Sequence, residues 1–310
     1  MGIVVIGATF VDIKGFPNDT YLPTGRNVGR IEYIHGGVAR NLVEDIANVE
    51  LRPTFISIVD TTPLGTDVLQ KLINHKVNVD YVQRIPDGMG TWLAVFDNNG
   101  DVAGSISKRP NMLPVLKLLE DRGDEIFSQA DSAVIEVDID KDIVKTVLDL
   151  CEKHGKKVFG LVSNMSIAAK RRDLLRRYTC FICNQQEAGQ LFLDDYSQKT
   201  PEEMRDILAD RLPKAEIPSM VVTMGGQGAV YADLQGNKGI CPARKVQVQD
   251  TTGAGDAFCA GVLCGAEHGE KLEDAIILGI ASAAASLSEA SATDGMRAKA
   301  DCMKLYQELR

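Results

Sequence analysis

The chain has 310 residues, of which 45% are hydrophobic and 25% charged, a composition typical of a soluble globular protein with a large core. Its 43 acidic and 34 basic residues give a formal net charge of −9, so its electrostatic field repels polyanions and nucleic acid is excluded as an expected partner. The N-terminus lacks the basic segment of a secretory signal, and no apolar run approaches the length of a membrane span. These observations predict a cytoplasmic protein.

Seven cysteines occur, and only Cys180 and Cys183 have the spacing C-x-x-C. This pair lies in an apolar run, and neither a second cysteine pair nor a histidine pair has the spacing of a zinc site. We therefore expect buried free thiols.

Short runs rich in β-branched residues alternate with segments of helical periodicity. The runs that predict buried parallel strands are residues 3–6, 55–59, 133–137, 157–162, 181–182 and 220–223. Apolar residues at helical spacing predict helices that include residues 39–47, 68–73 and 143–151. Thr200, Pro201 and Glu203 together mark the start of a further helix over 201–212. The alternation predicts a doubly wound α/β fold, with a mostly parallel sheet flanked by helices, in a single domain over 1–310.

Two segments interrupt this alternation. Residues near 13–35 are rich in Pro, Gly and Asn and end in an edge-strand pattern, and residues 91–107 predict a hairpin that turns at 98–101. Antiparallel strands inserted into a parallel core predict a small β-sheet lid, formed by about residues 13–35 and 88–112. Since so small a lid cannot easily bury its own sheet, we expect a homodimer through the lid.

A carboxylate directly follows a turn of small residues within the segment DTTGAGDAF at 250–258. Gly253, Ala254 and Gly255 let backbone N–H groups approach an anion at a helix N-terminus, where the helix dipole favours negative charge. Asp256 would then lie beside a bound phosphate and accept a hydroxyl proton. Taken alone, a tight strand-to-helix connection explains the turn equally well.

Two further elements stand where open α/β sheets bind ligands, after the carboxyl ends of strands or at a helix start beside the lid. Asp12 follows the first predicted strand, and the pair Gly36 and Gly37 opens a helix that carries Asn41. A carboxylate and an amide suit the hydroxyl groups of a polyol or nucleoside. The structural alternatives are a surface-turn aspartate and a glycine turn with a solvent-facing asparagine.

Two elements later in the chain suit a nucleotide. Asn184 and Glu187 can hold water around Mg²⁺, although an N-cap asparagine with an acidic first turn explains the same pattern better locally. Thr223, Gly225 and Gly228 lie in a turn that either admits phosphates to backbone amides or simply joins two strands. The first strand is not followed by G-x-G-x-x-G, and the chain has no Walker-type phosphate loop.

Taken in order, these elements resemble the ribokinase-like, or PfkB, carbohydrate kinase family over nearly the full length. The resemblance implies ATP-dependent phosphorylation of a hydroxyl group of a sugar or nucleoside, on a doubly wound core with a β-sheet lid. It implies that Asp256 is the catalytic base and that Gly253, Ala254 and Gly255 form the anion hole. The residues that it implies for substrate binding are Asp12, Gly36, Gly37 and Asn41.

The same resemblance implies the ligands of the cofactors. The residues implied for nucleotide binding are Asn184, Glu187, Thr223, Gly225 and Gly228. Glu187 would bind Mg²⁺ through water, and Asp250 with Thr252 would hold a monovalent cation, K⁺.

Residues 36–41 and 91–100 are most similar to the pseudouridine kinase branch, which implies a ribosyl compound such as pseudouridine as the acceptor. A kinase for ribose, fructose or another sugar is the nearest alternative. Residues 43, 50, 60–65, 160–163 and 183 depart from the usual family pattern, and these changes blur the identity of the substrate. A catalytically silent nucleotide- or sugar-binding protein is the alternative from another class. The presence of Asp256 behind an uninterrupted turn argues against a silent protein, which would have no need of the base.

Overall fold

The structure is a computed structural model that describes residues 2–49, 51–248, 251 and 253–287. Its strands are β1 (Ile3–Ile6), β2 (Phe10–Pro17), β3 (Gly29–Gly36), β4 (Thr54–Val59), β5 (Asn78–Arg84), β6 (Gly90–Phe96), β7 (Val102–Lys108), β8 (Ser132–Glu136), β9 (Lys157–Leu161), β10 (Cys180–Asn184), β11 (Ser219–Thr223), β12 (Ala229–Asp233) and β13 (Lys238–Cys241). Its α-helices are α1 (Val38–Asn48), α2 (Pro63–Asn74), α3 (Leu113–Gln129), α4 (Lys141–Lys153), α5 (Met165–Ala168), α6 (Arg172–Leu175), α7 (Gln185–Phe192), α8 (Pro201–Ala215), α9 (Ala254–Glu267) and α10 (Leu272–Ser286).

The core is a nine-stranded sheet with the order β13-β12-β11-β10-β9-β8-β1-β4-β5. All neighbours from β11 to β5 pair in parallel, and β12 and β13 add an antiparallel edge. Every residue of β1 and β4 is buried, as expected for central parallel strands that are covered on both faces. The predicted doubly wound α/β fold is confirmed.

Helices cover both faces of this sheet, and each face has its own apolar cluster. Because successive strand residues point to opposite faces, Val4 and Ile6 belong to the cluster of α3, α4, α7 and α8. Ile3 and Val5 belong to the cluster of α1, α2, α9 and α10. The carboxyl ends of the parallel strands therefore open between two layers of helices, at one edge of the sheet.

Helix α9 is held against α10 at very short range. A Cβ atom on Gly261 would lie 2.6 Å from the Leu278 carbonyl oxygen, and one on Gly265 would lie 2.6 Å from the Ala275 Cα. Only small residues permit this approach of two backbones. The N-terminus of α9 is thus fixed relative to the core by packing along the helix that follows it.

The lid is a separate four-stranded sheet with the order β3-β2-β6-β7. β2 pairs antiparallel with β3 and parallel with β6, and β6 and β7 form the predicted hairpin. β3 is an edge strand, as the pattern at 30–35 indicates. The lid begins at Phe10 rather than near residue 13, because β2 is itself a strand that the sequence interpretation overlooked.

Most predicted core elements are present with small shifts of their ends. α8 begins with the predicted capping box, in which Thr200 and Glu203 each accept a hydrogen bond from the backbone N–H of the other residue. The elements that the sequence interpretation missed include β5, β13, α3 and α10, in addition to β2. Cys180 and Cys183 are buried free thiols, as predicted. Within the described ranges, no helix combines the length and apolar character needed to cross a membrane.

Candidate active site

Three cavities of about 340, 260 and 660 Å³ lie side by side at the carboxyl ends of the core strands, and we name them the lid, central and outer cavities. Val38 and Ser163 line both the lid and the central cavity. Thr223 and Gly255 line both the central and the outer cavity. Because neighbouring cavities share lining residues, the three cavities form one cleft that runs from beneath the lid to the turn after β11.

The lid cavity contains the predicted substrate-binding residues, namely Asp12, Gly36, Gly37 and Asn41. Strand register places Ile34, Asp12, Trp92 and Ser107 in one row across the lid sheet, and all four line the cavity. A Cβ atom on Gly36 would lie 2.6 Å from Asp12 Oδ1, so a larger residue here would displace this carboxylate. Burial raises the pKa of Asp12 above its ordinary value, and the charges of Lys14 and Arg40 oppose the rise.

The central cavity is lined by the start of α9. Gly253 is the N-cap with φ 78°, a left-handed conformation that favours glycine, and Ala254 and Gly255 begin the first turn. Among the residues that the structure describes, no atom outside its own helical turn lies within 4 Å of the position that a Cβ on Gly255 would take. The backbone here is therefore open to a ligand, at the positive end of the helix dipole.

Asp256 lies in the first turn of α9 and lines the central cavity. Its Oδ2 atom accepts a hydrogen bond of 2.8 Å from Nδ2 of Asn41, which joins the two predicted sites. Burial raises the pKa of Asp256 to about 6, the Asn41 hydrogen bond and the Arg40 charge oppose this rise, and the Glu187 charge adds to it. The carboxylate is ionised at neutral pH, yet it is far more basic than an exposed aspartate.

Asn184 and Glu187 form a capping box at the start of α7, with two hydrogen bonds of 2.8 Å, so the local structural explanation is correct. Register also pairs Asn184 with Thr223 at the ends of neighbouring strands. Glu187 nevertheless lines the central cavity beside Asp256, and burial raises its pKa. Among the residues that the structure describes, no group of three or more His, Cys, Asp or Glu side chains is arranged to hold a metal ion alone.

The outer cavity lies beyond Thr223, Gly225 and Gly228. These residues join β11 to the antiparallel β12, so the simple strand connection considered from the sequence is also present. A Cβ atom on Gly228, whose φ is 99°, would lie 2.1 Å from the Cys241 carbonyl oxygen, which makes this glycine a structural requirement. The other lining residues include the apolar Phe258, Val246, Ile280 and Leu287 and the basic Arg244 and Lys245.

The sequence interpretation missed a buried acidic pair on β8 and the loop after it. Asp138 is fully buried and accepts hydrogen bonds from the Ser163 N–H at 2.9 Å and hydroxyl at 2.8 Å, and it forms an ion pair with Arg109 at 2.5 Å. Arg109 and Ser163 both line the lid cavity. Two carboxylates at alternate positions in an otherwise apolar segment were the signal that could have revealed the pair.

Glu136, the other member, lines the lid cavity and joins the segment before β2 to the start of α1. Its Oε2 accepts the Ala8 N–H at 3.0 Å, and its Oε1 accepts the Ala39 N–H at 2.9 Å. Burial and the nearby Asp138 raise the pKa of Glu136 to about 8, while the two N–H donors oppose the rise. Asp250 and Thr252, the predicted monovalent-cation ligands, lie outside the described residues.

Comparison with known proteins agrees with this arrangement. Residues 2–299 match the profile of the pfkB family carbohydrate kinases. The chain is 37% identical over 288 residues to guanosine-inosine kinase of Exiguobacterium acetylicum, covering 91% of this chain and 93% of that protein. It is 25% identical over 263 residues to pseudouridine kinase of Escherichia coli K12, covering 84% of this chain and 82% of that protein.

A solved structure shows the same fold. Arabidopsis thaliana ribokinase, complexed with ribose and ATP, superposes with a TM-score of 0.85 at 20% sequence identity and covers 98% of each chain. Because the family match extends over almost the whole sequence, the chain belongs to the pfkB family of carbohydrate kinases, phosphotransferases with a hydroxyl group as acceptor.

Proposed function

We propose that this protein is an ATP-dependent kinase that phosphorylates a hydroxyl group on the ribose of a nucleoside. The observation that carries the proposal is the position of Asp256, in the central cavity between Asp12 and Asn41 on one side and the glycine turn after β11 on the other. A base at this junction lies where an acceptor hydroxyl and a terminal phosphate would meet.

The proposed reaction needs one proton acceptor. Asp256 Oδ2 is engaged by Asn41, which leaves Oδ1 for the acceptor hydroxyl. As the acceptor oxygen forms its bond to the γ-phosphorus, the bond to the leaving ADP oxygen breaks and the hydroxyl proton passes to Asp256. The backbone N–H groups at the start of α9, where Gly255 is open, would stabilise the negative charge on the transferred group.

The outer cavity fits a nucleoside triphosphate. Its volume of about 660 Å³ and its apolar wall suit a base, and Arg244 and Lys245 lie at its rim with the glycine turn. Mg²⁺, when bound with the nucleotide, would neutralise phosphate charge, and Glu187, which lines the central cavity, would hold it through water. A monovalent cation at Asp250 and Thr252 stays a prediction.

Two observations favour a nucleoside over a free sugar. The relative at 37% identity is a guanosine-inosine kinase, and that at 25% is a pseudouridine kinase. In addition, the lid presents Trp92 to the substrate cavity, with Phe96 edge-on at 6.5 Å between ring centroids. Aromatic faces stack on nucleobases, and each such stack is worth about 1 to 3 kcal/mol.

A coupled assay of ADP release tests the proposal, with guanosine, inosine, pseudouridine, adenosine, ribose and fructose as acceptors. We expect one of the nucleosides to give the highest kcat/KM, and guanosine and inosine are the first to test. Trp92→Ala should raise KM for the nucleoside while KM for ATP stays unchanged. Turnover with ribose or fructose alone would refute the nucleoside assignment, and no turnover with any acceptor would refute the kinase itself.

We further propose a homodimer through the outer face of the lid. Register places Tyr33, Ile13, Leu93 and Ile106 in one row, on the face opposite to Asp12 and Trp92. Tyr33, Leu93 and Ile106 are 61%, 41% and 71% exposed, which is costly for an unpartnered sheet. Sedimentation should give a dimeric mass for the native chain and a monomeric mass for Leu93→Asp; a monomeric native chain would contradict the proposal.

A further inference from the structure

A buried arginine lies directly behind Asn41. Arg40 on α1 is 2% exposed, and its Nη1 donates to Glu44 Oε2 at 2.5 Å, one helical turn further on. Its Nη2 donates to the His35 carbonyl oxygen at 2.8 Å and also to Oδ1 of Asn41. A planar guanidinium with partners on both of its terminal nitrogens is held in one position.

This arginine determines which way the Asn41 amide points. A guanidinium carries only donors and an ionised carboxylate only acceptors. The amide oxygen must therefore face Arg40, and the amide nitrogen must face Asp256, where Nδ2 lies 2.8 Å from Oδ2. The reversed amide would place N–H groups against N–H groups and oxygen against oxygen.

We infer that Arg40 is a positioning residue for phosphoryl transfer, which holds the Asn41 amide so that its N–H orients the Asp256 carboxylate. The inference rests on the proposed role of Asp256 as the base. Since the same Nη2 also binds the His35 carbonyl oxygen on β3, Arg40 further ties the Asn41–Asp256 pair to a lid strand.

The position of Arg40 is itself secured from α2. Lys71 Nζ and His75 Nε2 lie 3.2 and 3.3 Å from Glu44 Oε1, while Arg40 occupies Oε2 of the same carboxylate. Glu44 is fully buried, so its charge is balanced within the protein rather than by water. The chain of contacts thus runs from α2 through Glu44 and Arg40 to Asn41 and the base.

Charged groups on several elements influence the pKa of Asp256. Arg40 lowers this pKa, whereas the acidic groups raise it. Burial raises the pKa of Asp256, whereas the Asn41 hydrogen bond and the Arg40 charge lower it. The acidic groups that interact with Asp256 are Glu187 on α7, Asp45 on α1 and Glu136 on β8. Loss of Arg40 should therefore make the base harder to ionise.

A double-mutant cycle with Arg40→Met and Asn41→Ala in the full chain tests the inference, with kcat for the best acceptor measured from pH 5 to 9. If Arg40 acts through Asn41, Arg40→Met lowers kcat by at least about tenfold, and the double variant is no slower than Asn41→Ala. The acid limb of the pH profile also moves to higher pH in Arg40→Met, a shift that a general loss of stability would not produce.

Arg177→Met is the matched control, because Arg177 pairs with Asp149 and Glu152 on α4 rather than with the cleft. We expect its kcat and pH profile to be unchanged. Should Arg40→Met fail to fold, Arg40→Met/Glu44→Gln removes both members of the buried pair and enters the same cycle.

Multiplicative effects of the two substitutions, or an unmoved acid limb, would overturn the inference. Absence of acceptor turnover in the native chain would instead overturn the proposed function, so the two failures are distinguishable.

Discussion

Replacing Asp256 with asparagine should make the protein more stable while it abolishes turnover. The pKa of this carboxyl group rises from 3.8 to about 6 on folding. Below pH 3.8 both the folded and the unfolded chain are protonated, and no penalty exists. As the pH rises, the unfolded chain ionises first, and above pH 6 the folded state is less stable by about 3 kcal/mol.

Asparagine removes this charge and can still accept the Asn41 hydrogen bond through its amide oxygen. Asp256→Asn should therefore gain about 3 kcal/mol of unfolding free energy at pH 7.5 and about half as much at pH 5. For a chain of 310 residues the larger value corresponds to a rise in Tm of about 5 °C. The same variant should lose about 10³-fold in kcat, since it has no base.

Denaturant unfolding at the two pH values and the coupled kinase assay measure these effects. Asp121→Asn on α3 is the matched control, because this carboxylate is exposed, and we expect neither its stability nor its activity to change. An Asp256→Asn protein that is no more stable than the native chain at pH 7.5, or equally stabilised at both pH values, would refute the electrostatic reasoning. Near-native kcat in that variant would refute the assignment of the base.

Three further substitutions separate structural from chemical roles. Gly255→Ala should fold with equal or slightly higher stability, because its Cβ meets no neighbour among the described residues. It should nevertheless lose about tenfold or more in kcat/KM for ATP, because the added methyl group would lie where the phosphate binds. Glu136→Gln should cost about 1 to 3 kcal/mol in urea unfolding at pH 4.5, where the raised pKa of Glu136 leaves little charge to remove, since its amide NH₂ would face the N–H of Ala8 or Ala39. Asp45→Asn should stabilise the fold at pH 8 and progressively less as the pH falls, because burial raises the pKa of this carboxyl group.

Each of the three has a control or a contrary outcome. Gly104→Ala adds a methyl group in equally open space on the lid and should leave ATP kinetics unchanged. Glu125→Gln, at an exposed carboxylate, should be neutral within about 0.5 kcal/mol. A stability gain of Asp45→Asn that does not vary with pH would show that the carboxylate is not the cause.

The core strands could be predicted because they are buried on both faces and rich in β-branched residues. β1 and β4 are examples, with every residue buried. β2 and β5 could not be predicted in the same way. Most of their residues are only partly buried, so neither a continuous apolar run nor a strict alternation marks them.

Some residues of the candidate site could likewise be predicted from the sequence, and others could not. Asp12, Asn41 and Asp256 could be found because glycine turns or strand ends next to them mark places where a ligand can approach the backbone. Glu136 was marked only by its alternation with Asp138 in an apolar segment, and Arg40 was not marked at all. Glu136 gains its partners Ala8 and Ala39 only through the packing of β8 against β1 and α1, and Arg40 looks from sequence like an ordinary helical charge.

The carboxylate of Glu136 also has a consequence for how the lid can vary. It accepts hydrogen bonds from the N–H of Ala8, just before β2, and from the N–H of Ala39, just after β3. The hairpin of β2 and β3 therefore leaves and re-enters the core at one fixed point. Closing a longer loop costs little free energy. The far end of this hairpin, near residues 18–28, can therefore change in length and sequence while Asn41 and Asp256 keep their geometry.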